Sequence, residues 1–399
     1  MNVLAEADGS PIEFSRRSSN PAGASSSLVL AMEEHRRSGK ILHDLTCTDP
    51  TGWVERADLE RDALSLLAGE AGRHYDPQPT GLLSAREALS RRFGGSPDHW
   101  TLCASTSEGY SLLFQLLANP GERIAVCRPS YPLLDDLARH GGLSLVDIPL
   151  HWADSRWQLD IGWVEKHLKD PAVRALVLIQ PGNPTGWWLS TNEREKVLSL
   201  CRTHRKALIC DEVFSEDLHK DGFLSLHNED STLTFVLGGL SKSLGLPQFK
   251  LGWIHASGPQ NLLEISMERL NRLNDSLLSA STIVQFALNE LLKMEKRLHA
   301  PIQMRCLENL RLLSNFSNER IELLPSGGGW SRILRLIESD ELTICWNLLS
   351  KGVLVQPGFL YDLPGQNIVI SILSEPSCFF AGLTTIHNML LDNKSCICS

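Results

Sequence analysis

Between residues 123 and 237 the chain carries five short apolar runs, at 123–127, 145–150, 175–179, 207–210 and 233–237. None alternates strictly between apolar and polar positions, which is the pattern of strands buried on both faces. Stretches with apolar residues at helical spacing lie between several of them, at 133–140, 162–169 and 191–204. Strands separated by helices predict an α/β fold with a mostly parallel sheet covered on both sides. Further helices are predicted at 27–38, with Leu28, Leu30 and Met32 as apolar positions and Gly39 as the stop, and at 83–93 and 108–118. Past Asn271 the pattern turns to long helical stretches reaching Asn315. Strand-like pieces follow at 331–336, 353–355 and 368–373, and then a last helix at 378–391. This second pattern is that of a smaller α+β domain. The organisation predicted is an N-terminal arm with part of a small domain (1–50), a large domain (51–285) and a small C-terminal domain (286–399). The first ~25 residues, rich in Ser, Ala, Gly and Asn, predict an arm rather than core.

Length supports two domains, because 399 residues exceed the size at which one core stops growing. The formal net charge of −9 argues against nucleic acid or an anionic membrane as partner, since both call for clustered positive charge. No apolar run reaches the ~20 residues that span a bilayer, and the first residues do not follow the plan of a secretory signal. Ten cysteines without a framework then read as reduced thiols in a cytoplasmic protein. Cys396 and Cys398 form a C-x-C at the tail, but no second Cys/His pair lies nearby, so no metal site is expected.

The chemistry gathers where apolar runs end, as it does in open α/β sheets. Lys242 stands in Gly238-Gly-Leu-Ser-Lys-Ser, just past a strand, where an amine of lowered pKa can form an imine with an aldehyde cofactor. Lys250, eight positions on, is a second cation that can pair with a phosphate. Asp211 follows the run 207–210; a buried carboxylate there needs a cationic partner such as a protonated pyridine, although a helix N-cap is the plainer use. Asn183, in Asn-Pro-Thr-Gly, is a turn residue that can also donate its amide to a ring hydroxyl. Ser105 and Thr106 open a helix, where hydroxyls and free N–H groups either cap the chain or seat a phosphate. Tyr131, after the run 123–127, offers an aromatic platform for a flat ring.

In their order and spacing, these segments resemble the aminotransferase class I/II family of fold-type I pyridoxal-phosphate enzymes, from about Leu45 to the C-terminus. The resemblance implies a large domain with a seven-stranded type of sheet and pyridoxal 5'-phosphate as cofactor, held as a Schiff base by Lys242. It further implies Asp211 opposite the pyridine nitrogen, Asn183 at the ring hydroxyl, Ser105 and Thr106 at the phosphate, and Tyr131 on the ring. Tyr75 matches a tyrosine that reaches the phosphate of the partner subunit, which implies a homodimer with composite sites. The activity implied is transamination of an amino acid.

The sequence also departs from the family. Lys250 stands at a usual Arg, Gly239 at a frequent hydroxyl residue, and Phe214 at a usual Tyr donor. Counting from Val355-Gln-Pro-Gly358, Val369 takes the place of the Arg that clamps the substrate α-carboxylate. Arg332 is the nearest substitute, with a solvated strand arginine as the alternative reading. Thr48, Asp49 and Trp330 fall near the expected substrate entrance. Loss of the clamp keeps open elimination, replacement or cyclisation on an amino acid with a leaving group, such as S-adenosylmethionine. A cofactor-binding regulator without turnover is the remaining rival, unsupported by any basic stretch.

Overall fold

The structure is a computed structural model that describes residues 14–18, 27–218, 220–314 and 316–392. Most of the expected N-terminal arm and the Cys396/Cys398 tail lie outside the described residues. The large sheet has eight strands: β1 (Trp100–Cys103), β2 (Arg123–Arg128), β3 (Ser144–Ala153), β4 (Arg156–Leu159), β5 (Val173–Ile179), β6 (Ala207–Asp211), β7 (Thr234–Gly239) and β8 (Gly252–Ser257). Their order across the sheet is β1-β8-β7-β6-β5-β2-β3-β4. Only β4 and β8 run against the rest. The five predicted strands are β2, β3, β5, β6 and β7, and they form the parallel run of the sheet.

Two strands escape the sequence pattern. β4 is a four-residue return that hairpins onto the end of β3, and β8 is a short antiparallel insertion between β1 and β7. β4 is too brief, and β8, with Gly, Trp, His and Ser among its six residues, too mixed in composition, to stand out as an apolar run. β5, β6 and β7 are buried nearly throughout, so their apolar side chains pack against helices on either face. The helix Thr191–His204 begins with a capping box, Ser190 with Glu193, and the helix Leu83–Phe93 spans the predicted residues. The helical region starts earlier than expected, with Gln260–Asp275 ahead of Thr282–Lys293 and Glu295–Leu313.

The second sheet is antiparallel, built from β9 (Ile321–Leu323), β10 (Ser331–Leu336), β11 (Gln356–Pro357) and β12 (Asn367–Ser371) in the order β9-β10-β12-β11. Leu28, Met32 and Leu45 from the start of the chain share one core with Ile344, Leu348, Phe379 and Leu383 from its end. The two-residue strand His43–Asp44 pairs in parallel with Val353–Leu354. Thr48 and Trp330 are carried by these parts of the chain and face the ends of β6 and β7.

Candidate active site

A cavity of about 310 Å³ opens where β6 and β7 end and the second sheet meets the first. Thr48, Ser105, Thr106, Tyr131, Asn183, Asp211, Lys242 and Trp330 all line it. Eight of the residues singled out in the sequence therefore come together in one hollow. They arrive from segments up to 282 positions apart (48 to 330).

Lys242 sits on the short helix Leu240–Ser243, which leaves β7 at Gly239. Its Nζ donates to the carbonyl of Thr48 at 3.3 Å and lies 4.7 Å from the centre of the Trp330 ring and 5.8 Å from that of Phe214. The two rings meet edge to face, 5.3 Å apart at 77°. Surrounding protein desolvates the amine and pushes its pKa down, while Asp217, Asp49 and Cys47 pull the other way. The amine thus sits in an aromatic corner, closer to its neutral, nucleophilic form than a surface lysine. The loop after it is held from below by Arg56, which is fully buried and donates to the carbonyls of Pro50, Leu244 and Gly245. Gly245 adopts φ +63°, and a Cβ there would meet the Arg56 guanidinium at 2.8 Å, so the position calls for glycine.

Asp211 is the last residue of β6 and is 6% exposed. One carboxylate oxygen accepts from the Tyr110 hydroxyl and the other from the Val213 N–H, both at 3.0 Å. Burial raises its pKa to about 6, against the lowering pull of these hydrogen bonds. Among the described residues it makes no ion pair, and its hydrogen bonds come from neutral donors. A buried carboxylate that faces a cavity and makes no ion pair fits a ligand that brings a protonated ring nitrogen.

On the next strand end, the Asn183 carbonyl oxygen accepts from the Ser331 hydroxyl at 3.0 Å, leaving the amide N–H₂ as the donor for a ligand. At the far side the helix Thr106–Leu117 starts, with the Ser105 hydroxyl capping Glu108 N–H. The first-turn N–H groups of a helix have no intrahelical acceptor. Together with the Ser107 and Ser241 hydroxyls that also line the cavity, they form a neutral cradle for phosphate oxygens. The cradle is kept close to the sheet by Gly252, where a Cβ would lie 3.0–3.2 Å from the backbone of Ser105, Thr106 and Gly238. Observed burial of Asp211, amide placement of Asn183 and this cradle all suit pyridoxal phosphate. When bound, that group supplies an aldehyde that condenses with amines and a ring that takes up electrons from a substrate Cα.

Four expected residues are not brought into the cavity. Lys250 is exposed and does not line it. It ends the turn Pro247–Phe249 in the left-handed conformation (φ 51°), which carries the side chain to the surface. Asp49 is also exposed, its carboxylate turned back onto Thr51 N–H and hydroxyl at 3.0 and 2.7 Å. Tyr75 is 83% exposed and lies instead beside a separate small hollow with Gln78 and Asn274. Arg332 is neither a solvated arginine nor a cavity wall. It is 3% exposed, and its Nη1 donates to the carbonyls of Gly329 at 3.0 Å and Ser331 at 2.5 Å. Burial lowers its pKa to about 10. The guanidinium therefore straps the backbone on both sides of Trp330, fixing the ring that faces Lys242. Val369 is buried on β12 opposite Ile333, in an apolar cluster with Tyr361 and Leu363.

Sequence reasoning missed Tyr110, Arg56, Ser241 and Tyr361. Tyr110 is one helical turn past the phosphate cradle, a spacing that would have put it on the same face as Thr106. Tyr361 lines the cavity and its hydroxyl donates to Gln356.

Comparison with known proteins decides the family. The profile of aminotransferase class I and II matches residues 47–374. The chain belongs to this family. Aminotransferases of class I and II use pyridoxal 5'-phosphate, the group the cavity suits. Among its relatives is the probable aminotransferase TAT1 of Arabidopsis thaliana, 29% identical over 278 residues, covering 67% of this chain and 60% of that protein. The S-alkyl-thiohydroximate lyase SUR1 of the same plant is 28% identical over 246 residues, covering 59% and 53%. The chain thus aligns with less than two thirds of the length of either relative. The alanine aminotransferase of Pyrococcus furiosus superposes with a TM-score of 0.83 at 21% identity over 95% of this chain and all of that one, which shows the shared fold. Among the described residues no helix is long and apolar enough to cross a membrane, and no cluster of metal-binding side chains occurs.

Proposed function

We propose that this chain is a pyridoxal-phosphate-dependent aminotransferase acting on an amino acid. The observation that carries the reading is Lys242 in its aromatic corner sharing one cavity with the buried carboxylate of Asp211, which makes no ion pair. Lys242 would carry the cofactor. Its Nζ, once freed by the incoming amine, would take the substrate Cα proton and return it to a different carbon. Asp211 would hold a proton on the ring nitrogen, Asn183 would donate to the ring hydroxyl, and Tyr131 would cover the ring. Ser105, Thr106 and the neighbouring hydroxyls would take the phosphate. Tyr75, exposed and away from its own chain's cavity, would complete the site of a second subunit in a homodimer. Lys250, also on the surface, has no evident role in its own chain's cavity.

The test is a screen of purified, cofactor-loaded protein against single amino acids, following the absorbance of the cofactor. Conversion to the pyridoxamine form with release of a keto acid supports transamination. A second reading, elimination or replacement on an amino acid with a leaving group, is favoured by Val369 in place of a clamp and by the likeness to a lyase. It predicts release of the leaving group while the cofactor keeps its aldehyde form.

A further inference from the structure

At the opposite end of the central strands, where β5 and β6 begin, a second cavity of about 440 Å³ is lined by Arg174, Arg202, Arg205 and Lys206. Arg174 lies at the start of β5 and Lys206 just before β6. Arg202 and Arg205 close the helix Thr191–His204. One or two cations at a helix C-terminus complement the helix dipole and need no other use. Lys206 does not fit that account. Its side chain is nine-tenths buried, and its Nζ donates to the main-chain carbonyls of Asp170, at 2.9 Å, and Val173.

The nearby carboxylates are already committed. Asp170 is held by Arg123 at 2.6 Å, and Glu122 lies 3.6 Å from Arg174. Among the described residues, no ion pair reaches Lys206, Arg202 or Arg205. Arg202 instead donates to the Ser231 hydroxyl at 2.6 Å. Burial first, and then the charge of Arg174, push the Lys206 pKa down, against the pull of Asp170 and Glu122. A buried ammonium with no direct ion pair is costly, and four cations round one hollow are unexpected on a chain of net charge −9. One bound anion would resolve both.

We propose that this cavity binds a small, multiply charged anion of the phosphate type, held by the guanidinium groups of Arg174, Arg202 and Arg205 over the Lys206 ammonium. Guanidinium forks grip two oxygens of one phosphate, which suits a hollow lined by three arginines. Leu233 and Leu262 in the same wall offer an apolar surface to the rest of an organic phosphate. The site is separate from the cofactor cavity: β6 spans from Ala207 at this cavity to Asp211 at the other, roughly 13 Å at about 3.3 Å per residue.

The test is calorimetric titration of protein saturated with pyridoxal phosphate, using inorganic pyrophosphate as probe, with the cofactor absorbance followed in parallel. One saturable site per chain is expected, with cofactor absorbance unchanged. Arg202→Ala combined with Arg205→Ala, two exposed positions, should weaken binding at least tenfold, since each removes a charge-assisted contact. Arg61→Ala, an exposed position that does not line this cavity, should leave it unaltered. Absence of saturable binding, equal affinity in the double variant, or displacement of the cofactor by pyrophosphate would each overturn the proposal.

Discussion

Replacing Asp211 by asparagine separates what this carboxylate does for the cofactor from what it costs the protein. Asparagine keeps the shape and both contacts, its oxygen accepting from Val213 N–H and its amide donating to the Tyr110 hydroxyl oxygen. Only the charge is lost. In the cofactor-free protein Asp211 holds its proton up to about pH 6, against 3.8 for its ordinary value. Between those values the folded state binds more protons than the unfolded one, so this group's contribution to stability falls as pH rises through the window. The full difference corresponds to about 3 kcal/mol, complete above pH 6. About 2 kcal/mol of it develops between pH 4.5 and 7.5. Asp211→Asn is free of that loss. Urea unfolding of cofactor-free protein should therefore show the variant gaining about 2 kcal/mol on the wild type between pH 4.5 and 7.5. Cofactor affinity should move the opposite way. Loss of a charge-assisted contact of ~1.5–3 kcal/mol weakens binding by about 10- to 150-fold, measurable by absorbance titration with pyridoxal phosphate. If the stability curves of variant and wild type stay parallel over this pH range, Asp211 is not the strained carboxylate described above. If cofactor affinity is unchanged, it is not the ring's partner.

Three further outcomes follow from the same geometry. Lys242→Ala should still bind pyridoxal phosphate but lose its fixation by borohydride, which mass spectrometry of digested wild-type protein should place at Lys242 and at no other lysine. Mixing Lys242→Ala with Tyr75→Phe subunits, each strongly impaired alone, should recover activity in mixed dimers; demonstrated heterodimers without recovery would remove Tyr75 from the partner's site. Alanine and aspartate should be poor substrates beside larger or leaving-group-bearing amino acids, because no arginine among the described residues lines the cavity to hold a carboxylate. Rapid turnover of alanine by the unaltered enzyme would refute this account of specificity.

The cofactor side of the site was legible because each of its motifs directly follows an apolar run. Asn183, Asp211 and Lys242 end β5, β6 and β7 or follow them closely, and a buried strand announces itself in sequence. Lys250 shows the limit of spacing as evidence. Eight residues from Lys242 is the right count, but a left-handed turn at φ 51° decides where the side chain goes. Arg332 shows another: its neighbours in the chain suggested a ligand contact, while its fate depends on carbonyls that only the folded loop presents. Arg56 and Tyr110 act across 189 and 101 positions, on partners that no local pattern names. The strands β4 and β8 were invisible for a related reason, since their pairing partners rather than their composition make them strands.

The pairing of His43–Asp44 with Val353–Leu354 has a consequence for how the chain is made. Asp44 also accepts, through its carbonyl, from Ser374, which follows it by 330 residues. On a ribosome adding about 5 to 20 residues per second, the segment bearing Thr48 waits roughly 15 to 65 s for that partner. Lys242 and Asp211 emerge well before then, with one wall of their cavity, Trp330 on its strapped loop, still unmade. A nascent chain stalled short of residue 330 should present Lys242 without its aromatic corner and capture cofactor poorly. Cofactor loading would then mark the completion of synthesis, and the newly made N-terminal segment would be the stretch that chaperones meet unpaired.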